Sequence, residues 1–411
     1  MMDKTQQPGP LEGVRIVEYG VFHAGPGATA ILGDMGADVV KIENGSGDPE
    51  RFWTNVGRFD FAMDNGESLM FEVSNRNKRG IYLNIQTGPG REVFHRLIQG
   101  ADVFMTNLRK STKARMGLDY ERIARVNPRI VHANVSGYGP EGPMSDLGAF
   151  DPLGQARSGM TFITGSDHPL LIHLGVLDQA TAIAASHAIL AALFARERTG
   201  RGQEVHVSLY STGLWLLYCN MMGNNLIGAD MSKMAWDRSH NNPLRNAFVC
   251  KDGKWILGTH HPESRYWPTF CRATGQDQLL DDPRFADDQA RKANCPELVA
   301  LFDRVFAEKT RDEWMDLFIP LGLMFCSVQE LKEVNLDPQA LANDYVVPFH
   351  HPRLGAVLIP GYPAHFSDAR AGTRGPAPLL AEHTDEILTE LGYSGQDIET
   401  LKQDGAVRQR T

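Results

Sequence analysis

Short blocks of apolar residues recur through the first third of the chain, and the segments between them carry apolar positions at helical spacing. Residues 14–19, 39–42, 81–85, 103–106 and 130–135 read as strands, and residues 28–35, 91–98 and 120–126 as helices. Strands that alternate with helices predict an α/β fold built on a doubly wound parallel sheet. Residues 44–78, rich in Gly, Asn, Asp and aromatics, form the longest irregular connection and would overhang the carboxyl edge of that sheet. A long apolar helix opens at Asp178, where Ala182, Ile183, Ala185, Ile189, Leu190, Leu193 and Phe194 make a broad apolar surface. Arg196 and Arg198 charge its last turn, and Gly200 stops it. A second very apolar helix is expected over 210–227. Beyond Asn241 the pattern turns mixed, with a hairpin over 248–257 and amphipathic helices near 264–274, 297–307 and 311–318. It reads as a smaller α+β domain. A strand at 356–359 and a final helix at 384–391 complete the expected elements.

The chain has 411 residues, enough to bury a large core in two domains or in one with a sizeable insertion. Its net charge of -9 offers no general attraction to nucleic acid or to an anionic membrane, so an anionic ligand must be met locally. The five cysteines are scattered without metal-site spacing and read as reduced thiols of a cytoplasmic protein. Residues 1–10 are polar, without a signal-peptide core, and no apolar run is expected to reach the length of a membrane span.

Asp178 is the most informative residue. A carboxylate at a helix N-terminus is expected to be held ionised by the dipole and the free N–H groups, the state a carboxylate nucleophile needs, and Asp is equally a common N-cap. The segment 21–27, between the first strand and first helix, stands where doubly wound folds offer N–H groups to anions. His23 within it reads as a ligand contact or as a partly exposed turn histidine. Glu43 follows the second strand, where a dinucleotide ribose would want an acid, but the Gly-x-Gly-x-x-Gly fingerprint is missing and NAD is not supported. The basic run 75–79 reads as a phosphate cluster or as a solvated turn. Asn107, Leu108 and Arg115 follow the strand at 103–106, and Ser136 opens a glycine-rich loop after the strand at 130–135; successive strand ends converge on one crevice. His260-His261 and His350-His351 lack carboxylates at suitable spacing, so no metal is expected. No serine stands in a Gly-x-Ser-x-Gly elbow.

Taken in order, Leu11 to Ile16, Ala24-Gly25-Pro26, Gly33 to Glu43, Asn77-Lys78-Arg79, Ala101-Asp102-Val103, Met116-Gly117-Leu118, Asn127-Pro128-Arg129, Ser136 to Gly139, Thr199 to Gln203 and Pro378 to Thr384 resemble the family III coenzyme A transferases, the CaiB/BaiF family. The resemblance spans nearly the whole chain. It implies a large Rossmann-like domain begun by residues 11–225 and completed by 336–411, a small inserted domain at 226–335, and an interlocked homodimer of ring-like subunits. It also implies that Asp178 attacks an acyl-CoA thioester, giving a mixed anhydride and then an aspartyl-CoA thioester, with CoA and acyl-CoA as substrates and nothing bound permanently. The CoA contacts it implies are His23, Ala24, Leu83, Asn107, Leu108, Arg115, Met116 and Ser136.

The chain departs from the family pattern in several places. It lacks the run of glycines that covers the aspartate in some members. Ser136 and Gln86 stand where formyl-CoA transferases carry lysines, and Asn44 where they carry arginine. The stretches 60–72 and 106–120 look most like enzymes that handle phenyllactate or related 2-hydroxy acids. The resemblance thus implies transfer of CoA from an acyl-CoA to a small organic, aryl or 2-hydroxy, carboxylic acid. A CoA-thioester racemase of the same superfamily is the enzymatic alternative, although Phe150 occupies the place of its histidine. A non-catalytic CoA-binding protein is the other alternative.

Overall fold

The computed structural model describes residues 7–64, 66–163, 165–231 and 237–409; the first six residues of the polar tail lie outside them. The chain divides into two compact units, residues 1–234 with 344–411, and residues 235–343. The first is built on six strands: β1 (Arg15–Tyr19), β2 (Asp38–Glu43), β3 (Lys78–Tyr82), β4 (Val103–Thr106), β5 (Val131–Ser136) and β6 (Gln203–Ser208). Every neighbouring pair is parallel and the spatial order is β3-β2-β1-β4-β5-β6. Strand order therefore reverses between β1 and β4, where open α/β sheets leave a crevice.

Helices cover both faces. Helix α1 (Ala24–Asp34) and the 24-residue α7 (Val176–Thr199) pack on one side. The core there joins Ile16, Ala28, Leu32, Val39, Val103, Val131, Leu177, Ala182, Ala185 and Ile189. The opposite face is filled by Val17, Ile42 and Phe104 of the sheet, Phe94 and Leu97 of α3 (Gly88–Gln99), and Ile123, and by Ile387, Leu388, Leu401 and Val407 from the chain's end. The return segment is tied in by polar bonds as well. Asn77 Oδ1 accepts from Arg374 N and Gly375 N, and Arg51 Nη2 donates to Pro378 O at 2.9 Å.

Several expectations change. Helix α1 begins at Ala24, so Ala24 to Gly27 belong to a helix and not to the preceding turn. The connection at 44–78 is structured: a 3-10 turn at Pro49–Phe52, a two-stranded ribbon and helix α2 (Leu69–Asn75). The basic run 75–79 is spent on internal ion pairs, Arg76 with Asp34, Lys78 with Glu18, and Arg79 with Asp38, Glu386 and Glu390. It is neither a phosphate cluster nor a solvated turn. Glu43 is buried in a two-pronged pair with Arg51, Nε–Oε1 2.9 Å and Nη2–Oε2 2.7 Å, which leaves it no ribose to meet. The apolar stretch over 210–227 breaks at Leu217 into α8 (Leu209–Leu216) and α9 (Tyr218–Ile227). Between β4 and α7, two unforeseen helices form, α4 (Lys110–Met116) and α6 (Asp151–Ser158), beside the expected α5 (Tyr120–Val126), together with the 3-10 turn Met160–Phe162. A helix at Gly395–Gln403, opened by a Ser394–Asp397 capping box, follows the expected last one. Helix α7 does have the length and composition of a membrane span, against expectation. It is instead a core helix, with Leu177, Ala182, Ala185, Ile189 and Leu193 buried and Arg196 paired to Asp102.

The second unit holds a three-stranded antiparallel sheet, Ala247–Val249, Trp255–Gly258 and Phe325–Val328, with the central strand shared by the expected hairpin. Its core is aromatic, centred on Phe248 stacked on Phe306 at 4.4 Å, with Phe302, Trp314, Phe318 and Phe325 around them. His260 is part of this scaffold: Met324 N donates to its Nε2 at 2.8 Å, so Nδ1–H donates to Leu244 O at 2.8 Å.

Candidate active site

A cavity of about 970 Å³ opens at the carboxyl ends of β1, β4, β5 and β6. The loop after β1 enters it through Phe22, His23 and Ala24, and the segment after β4 through Asn107, Leu108, Arg109, Lys110 and Lys113. Asn107 fastens the two ends together: its Oδ1 accepts from Val21 N at 2.9 Å, and its Nδ2 donates to Val21 O at 2.6 Å. Phe22 adopts a left-handed backbone, φ 58°, held by Phe22 N donating to Asp48 Oδ1 at 3.1 Å. Its ring meets Phe150 edge-on at 5.0 Å and Trp53 at 6.0 Å, an aromatic wall at the mouth.

Asp178 lines the same cavity, half-buried, in the first turn of α7. It is not the N-cap. Gly175 holds that place with φ 70°, after Leu174 at φ 64°. Nor do the helix N–H groups serve Asp178. Asp151, at the start of α6, takes them: its Oδ2 accepts from Leu177 N at 2.6 Å and from Asp178 N at 3.0 Å. Burial and the charge of Asp151 push the Asp178 carboxyl up to about 7. The expectation that the helix end holds it ionised is thus overturned, because the dipole and donors are already neutralised by another carboxylate.

His23 is buried and fully engaged, Nδ1 with Ser74 Oγ and Nε2 with Gln179 Oε1, both at 2.7 Å. Burial, opposed by the Gln179 bond and aided by Arg76 and Lys78, lowers its pKa and keeps the ring neutral at pH 7. His23 therefore braces Gln179, the neighbour of Asp178, and is not an exposed turn histidine. Deeper in, Lys41 pairs with Glu18 at 2.7 Å and Asp48 at 3.0 Å, and Lys78 with Glu18 at 2.6 Å, all fully buried. Burial opposes the charge on Glu18, but the two lysines outweigh it and hold its carboxyl down to about 2.

On the far wall, Glu204 Oε1 accepts from Asn134 Nδ2 at 2.9 Å and Oε2 lies 3.2 Å from His206 Nε2. Bonding to His132 first, then His206, holds Glu204 down to about 2. Lys113 bonds Asn134 Oδ1, and burial lowers its pKa.

Of the residues singled out from the sequence, Asp178, His23, Ala24, Asn107, Leu108 and Ser136 line this cavity. Leu83 does not: it is wholly buried in the core beside Val407. Met116 packs against that same core, its carbonyl accepting from Arg91 Nη1 at 2.5 Å, and Arg115 is exposed on the last turn of α4. The sequence assigned no role at the site to Asp151, Gln155, Gln179 or Lys113. Asp-Pro at 151–152 is a helix-start signal, but the N–H groups that Asp151 binds lie far along the chain and no local pattern exposes them.

Residues 11–384 match CoA-transferase family III. The chain belongs to that family. This family III CoA-transferase is similar to the succinyl-CoA:glutarate CoA-transferase of Mus musculus, 34% identical over 405 residues that cover 97% of this chain and 91% of the relative. It is also similar to the (R)-2-hydroxy-4-methylpentanoate CoA-transferase of Clostridioides difficile, 32% identical over 403 residues covering 97% and 99%. Among solved structures, a CaiB/BaiF family protein from Brucella suis matches with a TM-score of 0.82 at 29% identity, covering 94% of this chain and 100% of that one. CoA and acyl-CoA are substrates of the transferase, and its α/β fold carries the family's large sheet domain and smaller inserted domain.

Proposed function

We propose that Asp178 is the nucleophile with which this transferase moves CoA from an acyl-CoA to a small organic acid. The observation that carries the reading is a half-buried carboxyl, raised to about 7, facing a large cavity at the sheet's switch point. In its ionised form Asp178 attacks the thioester carbonyl, the C–S bond breaks, and CoA leaves as thiolate from an aspartyl anhydride. Thiolate then attacks the aspartyl carbonyl and releases the first acid, leaving an aspartyl-CoA thioester that the acceptor carboxylate opens by the same two steps in reverse. A covalent relay divides an exchange between two poor partners into attainable steps without ATP.

Arg109, Lys110 and Lys113 give the cavity wall the positive charge that CoA phosphates require in a net acidic chain. Asn107, Leu108, Ala24 and Ser136 are proposed CoA contacts through position. Arg115, Met116 and Leu83 are supported only by family resemblance. For the acceptor we propose an apolar, aryl or branched 2-hydroxy acid, because Phe22, Phe150, Leu153 and Leu108 form an apolar side of the cavity. The relatives named above act on glutarate and on a branched 2-hydroxy acid, so both acid types belong in the test.

We also propose a homodimer. Trp215, Leu226 and Ile227 on α8 and α9 are 73–74% exposed, and Phe194 on α7 is 66% exposed, an apolar surface a monomer would leave in water. The free state of all five cysteines fits a reducing, cytoplasmic setting. The deciding experiment is mass spectrometry of the protein incubated with an acyl-CoA. An acyl or CoA adduct on the peptide bearing Asp178, converted to a hydroxamate by hydroxylamine and lost in Asp178→Ala, is the expected result. Turnover by Asp178→Ala near the wild-type rate would overturn the mechanism.

A further inference from the structure

We propose that Asp151 is a positioning residue for Asp178, one that withdraws the first-turn N–H groups of α7 from the Asp178 carboxylate and sets a second negative charge against it, so that acylation of Asp178 relieves a repulsion between the two. This rests on the nucleophile reading above.

The geometry is one-sided. Leu177 N and Asp178 N both donate to Asp151 Oδ2, at 2.6 and 3.0 Å. Asp151 Oδ1 is held by Gln155 Nε2, and Gln155 is itself clamped, donating to Ile172 O at 2.8 Å and accepting from Ile172 N at 3.1 Å. Gln155 is completely buried and Asp151 nearly so, which fixes the carboxylate in place. Among the described residues no donor reaches the Asp178 carboxylate. A helix N-terminus ordinarily stabilises an acid in its first turn; here the stabilisation goes to a different acid.

The other ionisable groups that line the cavity with Asp178 are His23 at the N-cap of α1, Glu204 and His206 on β6, and Arg109, Lys110 and Lys113 after β4, with Glu141, Asp119 and Glu121. After burial, Asp151 is the charge that acts on Asp178.

The consequence follows from charge balance. When the Asp178 oxygen bonds to the thioester carbon and the C–S bond breaks, the electron pair leaves on the CoA sulfur. Asp178 becomes an uncharged anhydride, and one of two adjacent negative charges is gone. Hydrolysis or the closing exchange restores the pair. Asp151 thus disfavours the free carboxylate relative to the acylated enzyme, makes Asp178 more basic and more nucleophilic, and sets an acid limit on turnover.

The test is carboxyl carbon NMR on substrate-free protein labelled at aspartate, with Asp178 assigned by its loss in Asp178→Asn. Wild-type Asp178 should titrate near 7, and in Asp151→Asn its midpoint should fall by about one unit or more, a tenfold or greater change in proton affinity. The acid limb of kcat/KM should move down with it, which a loss of packing alone would not produce. An asparagine turns an N–H group towards Gln155 Nε2, so the wild-type titration is read as well: a midpoint in the ordinary aspartate range there overturns the proposal even if the variant misfolds. An unshifted midpoint in a folded Asp151→Asn also overturns it. A shifted midpoint with no acyl adduct on Asp178 overturns the nucleophile reading instead.

Discussion

Glu50 lies in the 3-10 turn Pro49–Phe52, fully buried, with neither carboxyl oxygen in a well-formed hydrogen bond. Burial, then the charge of Asp48, pushes it up to about 8 against a smaller lowering by Ser74. Because the folded protein holds this proton more tightly than the unfolded chain, Glu50's contribution is fully present below pH 4.5, declines as pH rises, and is lost above about pH 8. At about 1.4 kcal/mol per unit the effect reaches a few kcal/mol. Glu50→Gln should therefore flatten the fall in stability between pH 5 and 8, read from urea midpoints across that range; an unchanged slope would show Glu50 already ionised. Glu18 runs the other way. Its depressed carboxyl adds stability above pH 4.5 that is lost as pH falls towards 2. At the site, Asn107→Ala removes both bonds to Val21, each worth about 1 kcal/mol. The loop after β1 should loosen and the KM for acyl-CoA should rise several-fold, with kcat changing less, in steady-state kinetics. The place of Asn107, His23 and Ser136 on the cavity wall was legible because they follow strand ends. Asp151 was not, since its partners come from another helix.

Helices α6, α7 and α8 meet around glycines, and that junction carries Asp151 and Asp178. A side chain at Gly213 would stand 2.5 Å from Ser158 Oγ and 2.6 Å from Ser158 Cβ, and one at Gly154 would stand 2.8 Å from both Leu177 Cδ2 and Leu209 Cβ. Gly213→Ala should cost about 1–3 kcal/mol by overpacking. Gly154→Ala should do the same and, by displacing Leu177, slow formation of the Asp178 adduct in a stopped mass-spectrometric time course. Neither effect would appear if the helices were free to separate. The pattern of the sequence predicted α7 and its Gly200 stop, because periodicity and a left-handed C-cap at φ 68° are local. It merged α8 with α9, since an uninterrupted apolar run holds no sign of the bend at Leu217. It began α1 late because Gly-Pro-Gly is a turn by propensity. Burial of that whole first turn against the sheet and α7 overrides the propensity.

At the scale of the whole molecule, the exposed apolar surfaces of α7, α8 and α9 and the interlocked assembly implied by the family lead to one prediction. Isotopically distinct dimers mixed under native conditions should form no mixed species over hours, while refolding them together should form many. Native mass spectrometry reads the outcome, and rapid exchange or a monomer at working concentration would show that the subunits are not threaded. Overall charge gives no help in finding the site. The cavity's Arg109, Lys110 and Lys113 sit on a net acidic chain, so raising ionic strength should weaken acyl-CoA binding through local screening.

By itself the sequence determined the alternation of strands and helices, the crevice at their carboxyl ends, and a resemblance that puts Asp178 forward as the proposed nucleophile. Each follows from short-range rules of period, capping and turn, or from motifs in fixed order. Only the tertiary structure decided which way the proton affinity of that aspartate moves. Helix position argued for an ionised group, yet the structure brings Asp151 from α6 onto the same N–H groups, and burial with a like charge reverses the sign of the shift. It likewise turned the basic run 75–79 and Glu43 from ligand candidates into buried pairs. A pKa depends on what folding places within a few ångströms, and residues remote along the chain supply most of that.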